Sequence, residues 1–389
     1  MYIAHIGAGK YIIKRMPDTG VNHDSACESY EIPPAISGLG EVLHGAIREN
    51  IEDGTISLKL GFSLQKSAGK SPEPSGVEHD SVKTDGSKLS LRGLFHCLWE
   101  QAQFNKWVPA MAGKRGWFVV RKYVLQAAAS MNTKGRSLSE VLYIPEPFSV
   151  EQKNGIDSRR HLHLSKFIST GGGKRKLALL IGELKELGQS RYAGKAIIKH
   201  LPDFHFNIPL DLENRLKKRF QTELGLWNGD DQSHLMMIAT FTYDSSGATI
   251  EEASLIQLTP EFIPYENMFE NMLIERLVAE QRPFVKGLRY NLASNKPMAS
   301  VVLTNTQNRP TALFIVPAGA TDDYRSVIAE VTNGIMDAWI WNVEEGMPDL
   351  PHKRVAIAVP KHKEKEPERV LSVAPEKNLF DDLEIPGLA

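Results

Sequence analysis

The chain has 389 residues, of which 24% are charged and 42% are hydrophobic, and its formal net charge is −1. This length accommodates two or three folded domains, and the near-zero charge excludes a chain that is basic throughout. Two cysteines, Cys27 and Cys97, exclude a disulfide framework and fit a reducing cytosol. The first residues lack a signal-peptide pattern, and no apolar run approaches the ~20 residues that span a bilayer. We therefore expect a cytoplasmic protein without membrane contact.

The first predicted segment is 1–88. Residues 1–16 alternate between apolar and polar side chains around glycines, which predicts a β-hairpin. A second alternating run, 56–65, predicts a further strand. Residues 67–88 are rich in Ser, Pro and Gly and predict a long loop.

The next three segments differ in their hydrophobic period. Residues 89–148 have apolar residues at helical spacing and predict a basic segment of three helices. The third of these helices is short and is predicted at 137–144. Residues 149–262 predict a β-β-α-β-β module. Residues 263–360 predict an α-β-β-β-α-β core, whose second helix runs through 322–343 and whose last strand is 354–360. The predicted class is a multi-domain α+β fold.

The last segment, 361–389, is predicted to be a disordered acidic tail. Its end, EKNLFDDLEIPGLA, intersperses apolar residues with acids after a mixed-charge stretch. Such a tail is expected either to fold back over a basic surface or to dock on a protein partner. An inert terminus is the third alternative.

The stretch FISTGGGKRKLALLIGELKEL, residues 167–187, raises the question of a phosphate-binding loop. A P-loop needs a strand, the glycines, a Lys followed by Ser or Thr, and then a helix. Here the glycines follow a helix-like segment and precede a strand, and Arg175 stands where the hydroxyl belongs. A nucleotide-binding loop is therefore not predicted.

Two basic segments in a neutral chain show that charge is segregated. No acid lies between Glu100 and Glu140, and basic residues dominate 159–199. Segregated charge is what a surface that follows phosphates requires, although a solvated face balanced by nearby acids is the alternative. The residues predicted to bind nucleic acid, with DNA expected rather than RNA, are Lys114, Arg115, Arg121, Lys122, Lys174, Arg175 and Lys176.

Two further patterns concern metal ions. His23 and Cys27 have the spacing of half a zinc site, whereas structural zinc needs four ligands. Glu183-Leu184-Lys185 has the E-x-K form of metal-dependent nucleases but lacks a preceding aspartate. No serine-hydrolase motif is present.

The element order of 263–360 resembles the core of the restriction-endonuclease-like nucleases. The resemblance places a helix carboxylate at Glu266 or Glu270, an acid near Asn305, and E-x-K on the strand that here contains Phe314 and Val316. Asn305 cannot replace a carboxylate, and that strand has neither acid nor lysine. The resemblance therefore implies a degenerate site without cleavage.

Taken whole, the chain resembles a bacterial family known as domain of unknown function 1173, carried on plasmids and integrative elements. The resemblance rests on segments such as YIIKRMPDTG, SGLGEVLHGAIRE, MAGKRGWFVVRKYVLQAA, GELKEL and FVKGLRYNL. It implies that longer relatives complete a zinc site upstream of Cys27, which would leave this chain with half of it. We expect a non-catalytic nucleic-acid-binding accessory protein of a mobile element. The alternative is a metal-dependent nuclease or another nucleic-acid-processing enzyme.

Overall fold

The computed structural model describes residues 1–5, 11–66, 86–168, 175–189, 194–307, 309–333 and 335–354. Residues 67–85 of the predicted long loop, the three glycines with Lys174, the predicted strand at 354–360 beyond Arg354, and the predicted tail lie outside the described residues. Residues Met1–Arg354 form one compact unit. The described part confirms an α+β fold, and none of its helices combines the length and apolar character needed to cross a membrane.

Eight α-helices occur in the described residues. They are α1 Leu39–Val42, α2 Leu91–Gln101, α3 Trp117–Ala129, α4 Lys153–Ser165, α5 Leu210–Arg219, α6 Gln221–Gly229, α7 Met268–Ala279 and α8 Asp322–Thr332. The first ten strands are β1 Tyr2–His5, β2 Tyr11–Lys14, β3 Ile47–Glu49, β4 Ile56–Leu58, β5 Gln65–Lys66, β6 Lys106–Trp107, β7 Met131–Thr133, β8 Arg136–Ser137, β9 Leu142–Tyr143 and β10 Arg175–Lys176. The others are β11 Ala178–Gln189, β12 Gly194–Ile198, β13 His205–Ile208, β14 His234–Asp244, β15 Gly247–Leu258, β16 Pro264–Tyr265, β17 Phe284–Lys286, β18 Val301–Leu303, β19 Thr311–Val316 and β20 Asp337–Asn342.

The predicted N-terminal hairpin is confirmed, because β1 and β2 pair antiparallel with Ile3 opposite Ile13. The predicted strand over 56–65 is only partly present: β4 ends at Leu58, and β5 begins at Gln65. β5 pairs with β10, which follows the glycines along the chain.

Five strands close into a barrel. β11 pairs with β12, β12 with β13, β13 with β15, and β15 with β14, which returns to β11. Only the pairing between β13 and β15 is parallel. β11 closes the circuit because residues 178–183 pair with β14 and residues 184–189 pair with β12. The chain passes through α5 and α6 between β13 and β14.

The curvature of β11 has two visible causes. At Gly182, an added Cβ would lie 2.6 Å from Ile198 Cγ2, so glycine permits the close approach of β12. Between Leu184 and Glu186 the register against β12 shifts, so Lys185 is the extra residue of a β-bulge. A bulge bends its strand and increases the local twist, as closure of a small barrel requires.

The barrel has a buried interior and one covered outer side. Its interior contains Leu180, Ala196, Phe206, Met237 and Phe241, which share one hydrophobic core. The outward residues of β11 and β14, among them Leu179, Ile181, Met236 and Ile238, pack in a second core with α2 and α3. The helical layer therefore covers the β11–β14 side of the barrel.

The C-terminal sheet has the order β20-β19-β18-β17-β6, and only the pairing between β19 and β20 is parallel. Leu273 and Leu277 of α7 pack on one face, and Ile328 of α8 packs on the other. β6 comes from the predicted helical segment, so strand pairing joins 106–107 to 284–285 across the predicted boundaries.

Two local predictions are corrected, and one strand was missed. The helix predicted over 322–343 ends at Thr332, and Asp337–Asn342 is strand β20, because its residues alternate between buried and exposed. The third short helix predicted at 137–144 is a 3-10 turn, Leu138–Glu140, followed by β9. β13 was not predicted, because its four residues lie beside a proline-containing turn.

Candidate nucleic-acid interface

The outer face of β12 and β13 is the side of the barrel with partly exposed polar residues. Alternation along the strands buries Ala196, Ile198, Phe206 and Ile208 inside the barrel. Lys195 and Ile197 of β12 therefore point outward, and their partners in register are Asn207 and His205 of β13. Each of these four residues is partly or fully exposed.

Further cations border this face. Lys185 is exposed at the β11 bulge, and Gly188 lies opposite Lys195. Exposed Arg175 and Lys176 form β10, and Arg175 Nη1 lies 3.7 Å from Asp244 Oδ2 at the turn between β14 and β15. That turn leads into Thr249, which pairs with Asn207. We define the barrel surface as Arg175, Lys176, Lys185, Lys195, His205 and Asn207.

A second group of cations lies on α3 and α4. Lys122 is exposed, with its Nζ 5.4 Å from the centroid of the Tyr123 ring, and Lys114 is exposed just before α3. Half-buried Arg121 donates from Nε to Ile144 O at 3.1 Å. Arg159 of α4 lies exposed near the same chain segment and forms a bidentate ion pair with Glu146 at 2.7 and 3.0 Å. We define the helical surface as Lys114, Phe118, Arg121, Lys122 and the two exposed bases of α4, Arg159 and His161.

The Arg175–Lys176 end of the barrel surface lies far from the helical surface, whereas α4 reaches the β12–β13 turn, where Lys153 Nζ lies 2.5 Å from Asp203 Oδ2. β9 runs parallel to β11 with Leu142 opposite Leu179. Continued along the chain, this register places residues 144–146 level with residues 181–183 of β11. Lys176 lies at the opposite end of this ladder. An offset of about six residues corresponds to roughly 20 Å along the strands. The predicted cations therefore divide between two regions, and Lys174 lies outside the described residues.

Arg115 does not belong to either surface. Its guanidinium donates to Phe104 O at 3.2 Å and Glu261 O at 3.1 Å, and also to Lys106 O. Burial lowers the pKa of Arg115 to about 10. The side chain holds three backbone carbonyls together, and its bonding capacity is used within the protein.

The aromatic residues interleaved with these bases mostly belong to the core. Phe104, Trp107 and Trp117 are buried, and Trp117 Nε1 donates to Pro145 O at 2.9 Å. Phe118 is different, because 57% of it is exposed. It is the second residue of α3.

The C-terminal core holds its carboxylates in ion pairs. Glu266 accepts from Arg289 Nε at 2.7 and 2.5 Å, and Glu270 accepts from Lys286 Nζ at 3.0 Å. Burial alone would raise the pKa of Glu266, but Arg289 and Arg92 outweigh it and hold that pKa well below its usual value. A cavity of about 30 Å³ adjoins these residues, which is room for a water molecule or two.

Asn305 and Phe314, which the predicted nuclease-like arrangement would place at ligand positions, make other contacts. Asn305 Oδ1 accepts from Arg282 Nε at 3.1 Å, and Phe314 is buried in a hydrophobic core. Among the described residues no three His, Cys, Asp or Glu side chains come together as a metal site.

The E-x-K pattern does not form a site. Glu183 is buried and accepts from His234 Nδ1 at 2.7 Å and from Lys199 Nζ. Lys185 is exposed at the bulge, because the extra residue breaks the alternation that would set the two side chains together. The Lys199 and His234 partners come from β12–β13 and β14, which the sequence alone does not bring to Glu183.

His23 and Cys27 are neighbours in space, with Nδ1 3.6 Å from Sγ. Within the described ranges, no further acid, histidine or cysteine joins them to make a group of three. The predicted half of a zinc site therefore consists of these two side chains among the described residues.

Sequence reasoning did not single out Lys195, His205 or Asn207. The alternation in GKAIIKH places Lys195 and Ile197 on one face, but nothing local shows that this face lies outside a barrel. The residues opposite them come from β13, which was not predicted.

Together these features define an α+β protein with a closed five-stranded barrel, two basic surfaces and an ion-paired C-terminal core. The family model described as protein of unknown function, DUF1173, matches residues 1–344, and the chain belongs to that family. Neither the search of curated proteins nor that of solved structures found a match.

Proposed function

We propose that this chain binds nucleic acid through the barrel surface, as a non-catalytic accessory protein of a bacterial mobile element, with DNA as the expected partner. The observation that carries the proposal is the barrel topology. Numbered from β11, the strands close in the order 1-2-3-5-4, the third and fifth are parallel, and helices separate the third from the fourth. This is the layout of the OB fold, which binds oligonucleotides on the face of its second and third strands.

Fold-level analogy alone does not establish a function, so the residues matter. Here the second and third strands are β12 and β13, and their outward side chains are Lys195, Ile197, His205 and Asn207. They combine a cation, hydrogen-bonding groups and an apolar side chain that a base can pack on. Lys185, Arg175 and Lys176 add positive charge at the borders, as a surface that follows phosphates requires.

The test is a titration of the purified chain with labelled single-stranded and double-stranded DNA, and with RNA, at 50 and 200 mM salt. The combined variant Lys185→Glu with Lys195→Glu should weaken binding at least about tenfold and reduce the salt dependence, because fewer counterions are released. Lys59→Glu, an exposed lysine next to β4, is the matched control. Equal affinity for wild type and double variant would refute the role of the barrel surface.

The alternative function, a metal-dependent nuclease, draws its support from the C-terminal core. The order α7-β17-β18-β19-α8-β20, with β19 and β20 parallel, is compatible with the restriction-endonuclease-like layout. We propose this likeness for the fold and not for the chemistry, because Glu266 and Glu270 are neutralised by bases. Adding Mg²⁺ or Mn²⁺ to the same titrations tests for cleavage.

A further inference from the structure

Phe118 is exposed although its helix is firmly fixed. The residue before it, Trp117, is buried and bonded to Pro145 O, and Val120 and Val124 of the same helix are buried. α3 therefore presents the Phe118 ring from a rigid position. A ring on a fixed backbone loses less conformational entropy when a ligand packs on it than a ring on a mobile loop.

The ring stands among cations. Arg121 and Lys122 follow Phe118 by three and four residues, so they share its side of the helix. Lys114 lies just ahead of α3, and the first turn of α3 has no acid. The nearby Glu146 is engaged by Arg159, so it compensates little of the charge of Arg121.

We infer that the helical surface is a second contact for nucleic acid, in which Phe118 stacks on an unpaired base while Arg121 and Lys122 neutralise the flanking phosphates. This inference rests on the proposed function and narrows its ligand to single strands. An aromatic platform beside cations suits a single strand because every base has a flat face and a phosphate next to it. In a duplex those faces are covered by neighbouring base pairs. A purely apolar partner would gain nothing from the surrounding cations.

The loss of affinity and its dependence on salt distinguish a stacking contact from a charge contact. Stacking of a base on an aromatic side chain is worth about 1–3 kcal/mol, or a change in affinity from about fivefold to about 150-fold. Phe118→Ala should therefore weaken single-stranded DNA binding at least about fivefold, at both salt concentrations, and leave duplex binding unchanged. Lys122→Glu should weaken binding most at low salt.

The experiment compares Phe118→Ala, Phe118→Leu and Phe118→Trp in the full chain, with oligonucleotides that carry 2-aminopurine. The Trp variant should keep the affinity and the fluorescence quenching that accompanies stacking, whereas the Ala and Leu variants should lose both. Ile13→Ala, which removes a side chain that is 68% exposed on the β1–β2 hairpin, is the matched control. Because Phe118 is exposed, unfolding midpoints should stay equal.

Three results would overturn the inference. They are equal single-strand affinity for wild type and Phe118→Ala, an equal loss for single strands and duplexes, and full affinity of the Leu variant, which would indicate a general apolar contact. Each of these leaves the proposed function standing as long as the Lys185/Lys195 variant is impaired. A wild type that binds no nucleic acid would refute the proposed function itself.

Discussion

Lys286 Nζ lies 3.0 Å from Glu270 Oε1, and the two side chains are only 2% and 4% exposed. The pair joins β17 to α7, and Lys286 Nζ also donates to Gly287 O at 2.7 Å. A charge so deeply buried is tolerated only with its partner, because desolvation costs several kcal/mol per ion. This pair therefore fixes the packing of the helix on the C-terminal sheet.

Removing one partner of this pair should be costly. We expect Glu270→Leu to lower the free energy of unfolding by about 3–5 kcal/mol, because Lys286 is left buried without a counter-charge. Urea denaturation measures it. The free energy of unfolding should fall clearly less in the double variant Glu270→Leu with Lys286→Met than in Glu270→Leu alone. A double variant as unstable as the single one would contradict this account of the pair.

The C-terminal core should not cleave DNA. Its carboxylates are held by Lys286 and Arg289, and Asn305 cannot supply the charge of a metal-ligating acid. Incubation of wild type with supercoiled and linear DNA and Mg²⁺ or Mn²⁺ should leave both intact. Metal-dependent cleavage that is lost in a folded Glu270→Ala variant would show that this interpretation of the core is wrong.

Arg115 and Lys114 should behave in opposite ways. Arg115→Ala leaves three carbonyls without their donor and should lower the free energy of unfolding by about 2–4 kcal/mol. Below its melting temperature, this variant should bind nucleic acid within about twofold of wild type. Lys114→Ala should leave stability within about 0.5 kcal/mol and weaken binding at low salt. Reversed results would place Arg115 at the interface.

Glu100 should make stability depend on pH. Burial raises its pKa to about 7, although the hydrogen bond from Tyr290 opposes this. A raised pKa means that the stabilisation is fully present below the unfolded value of 4.5 and is lost as the pH rises through 7. Relative to Glu100→Gln, the free energy of unfolding of the wild type should therefore fall by up to about 3 kcal/mol as the pH rises from 4.5 to 7.

The comparison with Glu100→Gln isolates this group. Burial lowers the pKa of His96 to about 3, so His96 alone would make stability rise with pH between 3 and 6.5. Both proteins keep His96, and its contribution cancels in their difference. A difference that does not change with pH in urea denaturation would mean that Glu100 is ionised in the folded protein across the whole range.

The His23 and Cys27 pair should hold zinc weakly or not at all. Two ligands leave a tetrahedral ion incomplete, and water would fill the other positions. Metal analysis after dialysis against zinc should find well under one ion per chain, unchanged by Cys27→Ser. One zinc per chain that this substitution removes would show that other ligands reach the pair.

Much of the local structure was predictable because its signals are local. The β1–β2 hairpin, α2, α3, α5, α7 and the long strands β11, β14 and β15 all follow from hydrophobic period, and the α+β class follows from their order. The predictions failed where elements were short or where signals conflicted. β9 and β13 have two and four residues, and β20 follows directly on a helical pattern.

The candidate sites were less predictable, because the position of a charged residue in the sequence does not reveal whether its side chain points into the protein or to solvent. Arg115 lies next to Lys114 in the chain, yet one bonds to three carbonyls and the other is exposed. Phe118 follows Trp117, yet the helix buries one ring and exposes the other. Only packing decides which of two neighbouring side chains meets solvent.

The sequence by itself determined the α+β fold class, the segregation of charge, and the lack of an acid at Asn305 and of E-x-K on the strand that contains Phe314. These depend on composition and on residues close in the chain. The tertiary structure alone decided that β11 meets both β12 and β14, which closes the barrel and turns Lys195 and Asn207 outward side by side. Closure depends on pairing between strands far apart in sequence, and such pairing is set by the whole core and not by any one segment.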